Sequence, residues 1–176
     1  NSASSVNYGI GASGDSLMTD GIAALYTFMA VFTSIAQQKY QEMTAKAERA
    51  RVSQQMANQV DYIISAITTP GGTGNLPNEV YEYFKENKIM VTANEDIVAY
   101  IKNHGDPIGN KLKKGELEVL KGVLEADSGR CSDFVAGAQL QIQKSMQSYN
   151  VCVSTISSMQ TLLADMCKMI GQAIGR

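Results

Sequence analysis

The chain has 176 residues, a formal net charge of −2 and only 18% charged side chains. That length fits one domain or one elongated unit, and the near-neutral balance gives no reason to expect nucleic acid or an acidic surface as partner. Aromatic residues make up 7% and tryptophan is absent, which argues against a compact aromatic-rich core. The many Gln, Ser, Ala and Met residues suit long helices packed side by side.

Residues 1–15 place Gly9, Gly11 and Gly14 among Ser and Asn and read as a flexible lead. No basic region precedes an apolar run there, so no cleaved secretory signal is expected. Asp15 or Ser16 is the expected N-cap of a first long helix over 16–67. Its most apolar part, GIAALYTFMAVFTSIA (Gly21 to Ala36), is shorter than the roughly 20 residues of a membrane span. It is expected as a buried assembly helix, with membrane contact as the alternative. Ala36, Tyr40, Met43, Ala47 and Ala50 follow the alternating four-three steps of a coiled-coil seam, which Val60, Ile64 and Ile67 resume after a polar interruption around Gln54.

Pro70, Gly71 and Gly72 stop this helix. A central region over 68–114 then changes character. PNEVYEYFKENK reads as a short amphipathic helix, IMVT as a strand or extended link, and NEDIVAYIKNHG as a second short helix with Asn94 as N-cap and Gly105 as stop. GDPIGNKLKKG reads as a loop. A second long helix spans 115–176. Its seam runs Leu117, Lys121, Leu124, Ser128, Cys131, Val135, Ala138, Ile142, Ser145, Tyr149, Cys152, Ile156, Met159, Leu163, Met166, Ile170 and Ala173, apolar except at Lys121, Ser128 and Ser145. The fold class expected is mainly all-α: two long terminal helices in an antiparallel coiled-coil hairpin, with a small mixed central region of short helices and loops.

Charge is unevenly placed. Of 32 charged residues, 19 lie from Glu79 to Asp133. The charged middle is expected to face water, and the nearly uncharged helical ends to pack against further copies, with Tyr40, Met43, Ala47, Ala50, Ile142, Tyr149, Ile156, Met159, Leu163, Met166 and Ile170 as the packing seam. The opposite side of the last helix presents Gln143, Gln147, Asn150, Ser154, Ser157, Ser158 and Thr161, polar but uncharged. It is either a packing face or the lining of a channel, since amides and hydroxyls offer a passing chain no apolar patch and no ion partner.

No pattern indicates an enzyme, a metal site or a cofactor. His104 is the only histidine and reads as a surface loop residue. Glu79, Glu82 and Glu86 share one face of a short helix and read as solvated. TTPGGTGN lacks the Lys-Ser/Thr of a phosphate loop. Cys131, Cys152 and Cys167 fall in one helix, the closest two about 22 Å apart at 1.5 Å per residue. They cannot bridge one another within that helix, and read as small buried hydrophobes or partners in an intermolecular disulfide. The charged band KAERAR (Lys46 to Arg51) is either a solvated segment with intrahelical ion pairs or a contact between subunits.

KAERARVSQQMANQVDYIISA, LPNEVYEYFKENKI and KLKKGELEVLKGVLEADSGRCSDFVAGAQLQIQKSM resemble, in that order, the EspA/SseB/EseB proteins of type III secretion systems, over roughly Gly21 to Ile174. The resemblance implies a secreted, extracellular structural subunit that polymerises with itself into a helical filament beyond the secretion needle, a conduit for effector and translocator proteins. It implies as partners a cytoplasmic secretion chaperone, the needle subunit, translocator proteins and the host-cell surface. A membrane-interacting translocator component is the alternative. The three cysteines depart from the family pattern.

Overall fold

A computed structural model describes residues 3–105 and 111–175, with side chains from position 16 onward. The elements are α1 (Ala3–Ala66), β1 (Thr73–Asn75), α2 (Asn78–Glu86), α3 (Ile97–His104), β2 (Lys111–Lys113) and α4 (Lys114–Ile174). Two long helices form an antiparallel hairpin and the short elements stand between them in sequence, in the mainly α class expected.

The chain divides into two units: residues 43–137, and residues 1–42 with 138–176. The first holds the core. Val60 of α1, Val80 and Phe84 of α2, Ile97 of α3, Leu112 of β2 and Leu117, Leu120 and Leu124 of α4 are all but completely buried. The short central elements therefore build the core while their charged positions, such as Glu79, Lys85 and Glu86, stay outside. α2 packs this way because Val80 and Phe84 are four residues apart and fall on one helix face. A two-strand antiparallel ladder pairs Gly74 with Leu112. A Cβ at Gly74 would stand 2.5 Å from a methyl of Ile63, so the ladder can approach α1 only with glycine there.

Several boundaries differ from those expected. α1 runs through the glycine-bearing lead from Ala3, so Asp15 and Ser16 lie inside it instead of capping it. Extending an existing helix avoids the nucleation cost, which makes interior glycines tolerable at about 1 kcal/mol each. Lys111–Lys113 is a strand instead of a loop. Residues 89–92 are neither a strand nor an extended link: 89–90 are irregular and 91–92 enter a bend, with Val91 N–H bonded back to the Glu95 carbonyl at 2.9 Å. The N-cap of α3 is Asp96, whose Oδ1 accepts from Ala99 N at 2.8 Å, and not Asn94. Residues 106–110 of the expected loop lie outside the described residues.

In the second unit the two helix segments pack closely enough that a Cβ on Gly21 would stand 3.0 Å from Met159 Cε. Its buried residues among those described are Ala138, Ser145, Cys152 and Ile156, all on α4. Exposed large apolar side chains are concentrated there: Leu17, Tyr26, Phe28, Val31, Ile35 and Tyr40 on α1, and Leu140, Met146, Val151, Val153, Leu162, Met169, Ile170 and Ile174 on α4.

Candidate functional site

The less exposed face of α1 runs Met18, Ile22, Leu25, Met29, Phe32, Ala36, Lys39, Met43, Lys46, Ala50, Ser53, Ala57, Val60 and Ile64, an unbroken four-three series. Met43 and Ala50 lie on this face. Tyr40, 60% exposed, and Ala47 do not. Lysines hold the neighbouring positions instead. Their alkyl stems cover apolar surface while the ammonium finds a partner. Lys39 Nζ reaches Glu42 Oε2 at 3.1 Å, and Lys46 Nζ stands 5.8 Å from the Phe134 ring centroid. On α4, Ile156 is buried and Ile142, Tyr149, Met159, Leu163 and Met166 are half-buried, whereas Ile170 is exposed. Gln143, Gln147, Asn150, Ser154, Ser157, Ser158 and Thr161 are all exposed. The Thr161 hydroxyl donates to the Ser157 carbonyl at 3.0 Å, so it presents mainly acceptor character outward.

Two of the three seam positions that break the apolar pattern of α4, Lys121 and Ser128, are satisfied by α1. Lys121 Nζ meets Asp61 Oδ1 at 2.9 Å, and the buried Ser128 hydroxyl donates to the Ala50 carbonyl at 2.8 Å. Beside Ser128 lies a polar cluster that sequence reasoning missed. Arg49 Nε and Nη2 donate to the two oxygens of Asp127 at 3.0 and 2.7 Å, a bidentate pair. Ser53 Oγ donates to Asp127 Oδ2 at 2.6 Å. Because a carboxylate only accepts, the single Ser53 proton is spent there, and Tyr83 of α2 is the donor across the 2.6 Å contact to Ser53 Oγ. Burial pushes the Asp127 carboxyl up, but hydrogen bonds from Arg49 and Ser53 outweigh it and hold it below the ordinary carboxylate value. The hydrogen bond to Asp127 raises the Arg49 guanidinium, and burial raises the Tyr83 phenol. At neutral pH the Arg49–Asp127 pair is therefore ionised and the hydroxyls of Ser53 and Tyr83 are neutral donors. The cluster ties α1, α2 and α4 in one register. KAERAR combines an intrahelical pair, Arg51 with Glu48, and a long-range pair through Arg49.

Arg49 and Asp127 of this cluster line a cleft of about 410 Å³, together with Lys46, Lys88, Ile89, Met90, Arg130, Cys131 and Phe134. Lys88 is the one non-glycine residue among those described with left-handed backbone, φ 51°. It follows the end of α2, where Ile89 N–H bonds the Phe84 carbonyl at 2.9 Å, a closure that favours glycine. A Cβ there costs about 1–2 kcal/mol.

His104 is the last residue of α3 and not a loop residue. It stacks on Tyr100 at 4.5 Å between centroids and its Nε2 lies 3.4 Å from Glu95. Cys131 and Cys152 are buried, whereas Cys167 is exposed, contrary to the buried reading. Among the described residues no group of three His, Cys, Asp or Glu could hold a metal ion.

The EspA-like secreted protein family is matched over residues 1–169. The chain is 28% identical over 157 residues to the secreted effector protein SseB of Salmonella typhimurium, covering 87% of this chain and 78% of that protein. It is similar in fold to the subunit in the cryo-EM structure of the enteropathogenic Escherichia coli type III secretion system EspA filament, with TM-score 0.56 and 22% identity, covering 86% of this chain and 84% of the other. The match takes in both long helices and everything between them, and the chain belongs to the EspA-like secreted proteins.

Proposed function

We propose that the chain is the structural subunit of a helical extracellular filament that extends a type III secretion needle and conducts effector and translocator proteins toward the host cell. The observation that carries this reading is the apolar surface of the second unit: tyrosine, phenylalanine, leucine, valine and isoleucine side chains stand in water on both helices. Patches of this kind mark surfaces that are covered in the working state. The likeness to the EspA filament subunit supports polymerisation as the way they are covered. Before export the same surface needs a cover in the cytoplasm, which supports a dedicated chaperone as first partner. The needle subunit and translocator proteins follow as partners from the filament's position.

Electron microscopy of the purified protein tests the reading: fibres support it and discrete dimers contradict it. The uncharged face from Gln143 to Thr161 is our candidate lumen face. Ser154→Lys and Ser158→Lys together should leave fibres intact and impair delivery, because two fixed charges per subunit would hold passing acidic segments. Normal delivery through fibres carrying both lysines would remove the lumen assignment.

One observation favours a second reading, a membrane-interacting translocator component. Between Ser16 and Ala66, α1 contains an 18-residue window apolar enough to cross a membrane by length and composition. Dye release from liposomes by protein that forms no fibres would favour it.

A further inference from the structure

We propose that the basic cleft of the core unit receives Asp20 of a second copy of the chain, resting on the filament reading above. The cleft carries a surplus of positive charge. Its one carboxylate, Asp127, is already occupied by both donors of Arg49 and by the Ser53 hydroxyl. Lys46 and Lys88 form no ion pair among the described residues, and Arg130 only grazes Asp127 at 3.8 Å. Met90 and Phe134 supply apolar wall between these cations. Lysine occupies position 88 against a backbone preference for glycine, so the reason for it lies in its side chain. Cations around an apolar wall match a carboxylate set in an apolar surface.

Asp20 is such a carboxylate. It is exposed on α1 one turn from the exposed Leu17 and Ala24, and it forms no ion pair among the described residues. The next cation along α1 is Lys39, already engaged by Glu42. When copies cover the apolar faces around it, Asp20 loses water and requires a cation from elsewhere. A contact that joins a core-unit cleft on one copy to the other unit of the next uses two different surfaces. Such a heterologous contact propagates from copy to copy and gives an open helical filament when its rotation does not close into a ring.

The test uses full-length protein and two readouts, thermal unfolding of the monomer and the critical concentration for fibre formation. Lys88→Gly should leave the monomer at least as stable, because the backbone favours glycine there, yet raise the critical concentration about tenfold. Asp20→Asn should do the same. A chain carrying both Asp20→Lys and Lys88→Glu should return to within about threefold of the wild type. Carbodiimide coupling of mixed isotope-labelled wild-type chains should join Asp20 to Lys46 or Lys88 between copies. Wild-type critical concentrations for Lys88→Gly and Asp20→Asn, or additive losses in the swapped chain, would overturn the contact while leaving the filament reading standing. Wild-type protein that forms neither fibres nor coupled oligomers would overturn both.

Discussion

The two units are built from the same two helices, and they solve burial in opposite ways. In the core unit α1 and α4 are joined by α2, α3 and a short ladder, and every one of the largest fully buried side chains, from Phe84 to Leu124, belongs to it. In the other unit the helices have only each other, and two helices cover one stripe apiece. Outside that stripe the core unit carries most of the chain's charge and few large apolar side chains, Tyr62, Met90, Val98 and Val119 among them; the other unit carries many exposed apolar side chains and few charges, such as Asp20, Lys144, Asp165 and Lys168. A hairpin that needed only to be a monomer would carry charge on both. The core of one unit is closed within the chain, whereas the other leaves apolar surface that, on the proposal above, further copies cover.

The largest expected effect comes from truncating each unit in turn. Phe84→Ala should cost the core unit about 3–5 kcal/mol, read in urea unfolding. Phe28→Ala should change monomer stability by less than about 0.5 kcal/mol and act on assembly alone. Equal losses from both would erase the distinction. Asp127→Ala should cost about 3 kcal/mol, because it leaves Arg49 partly buried without its partner. The loss should appear in hydrogen exchange as faster exchange along α1 around Ser53 and along α2.

A smaller effect sharpens the same contrast through pH. The folded Asp127 carboxyl lies below its unfolded value, so its contribution is present above the ordinary carboxylate pKa of about 3.9 and is lost as pH falls below it. Core stability should fall in acid, and Asp127→Asn should reduce that slope, the rest coming from Glu48 and Glu95, whose carboxyls the hydrogen bonds of Arg51 and Asn103 also hold below the ordinary value. An unchanged slope would place the acid sensitivity elsewhere. Smallest is Lys46→Met, which keeps the stem and removes the ammonium over Phe134. It should cost no more than about 1 kcal/mol, measured in the same urea titration.

Much of this division was legible in sequence. The α4 seam from Leu117 to Met166 stood out because nearly every position is apolar, and the gap in charge at both ends is visible by inspection. The less exposed face of α1 within the chain passes through Lys39 and Lys46 and not Tyr40 and Ala47, which the sequence does not show because an alkyl stem is invisible to a search for apolar side chains. The interruption near Gln54 was the trace of Ser53, a polar residue that occupies a seam position to serve Asp127. Ser128 gave a matching signal on α4, and together they mark where a polar cluster crosses the core. The ladder was hidden because three residues in each strand, TGN and KLK, carry too little pattern. Asp96 and Asn94 both suit a cap, and only the hydrogen bond to Ala99 separates them.

The central claim is that the apolar unit is completed by assembly while the core unit is already complete. Amide hydrogen exchange on monomeric and assembled protein tests it most directly. In the monomer, amides of residues 16–42 and 138–175 should exchange much faster than those of 56–64 and 117–124. On assembly the first set should gain strong protection and the second should change little. Protection that rises on assembly at residues 56–64 and 117–124, with residues 16–42 and 138–175 exchanging as they do in the monomer, would contradict the account.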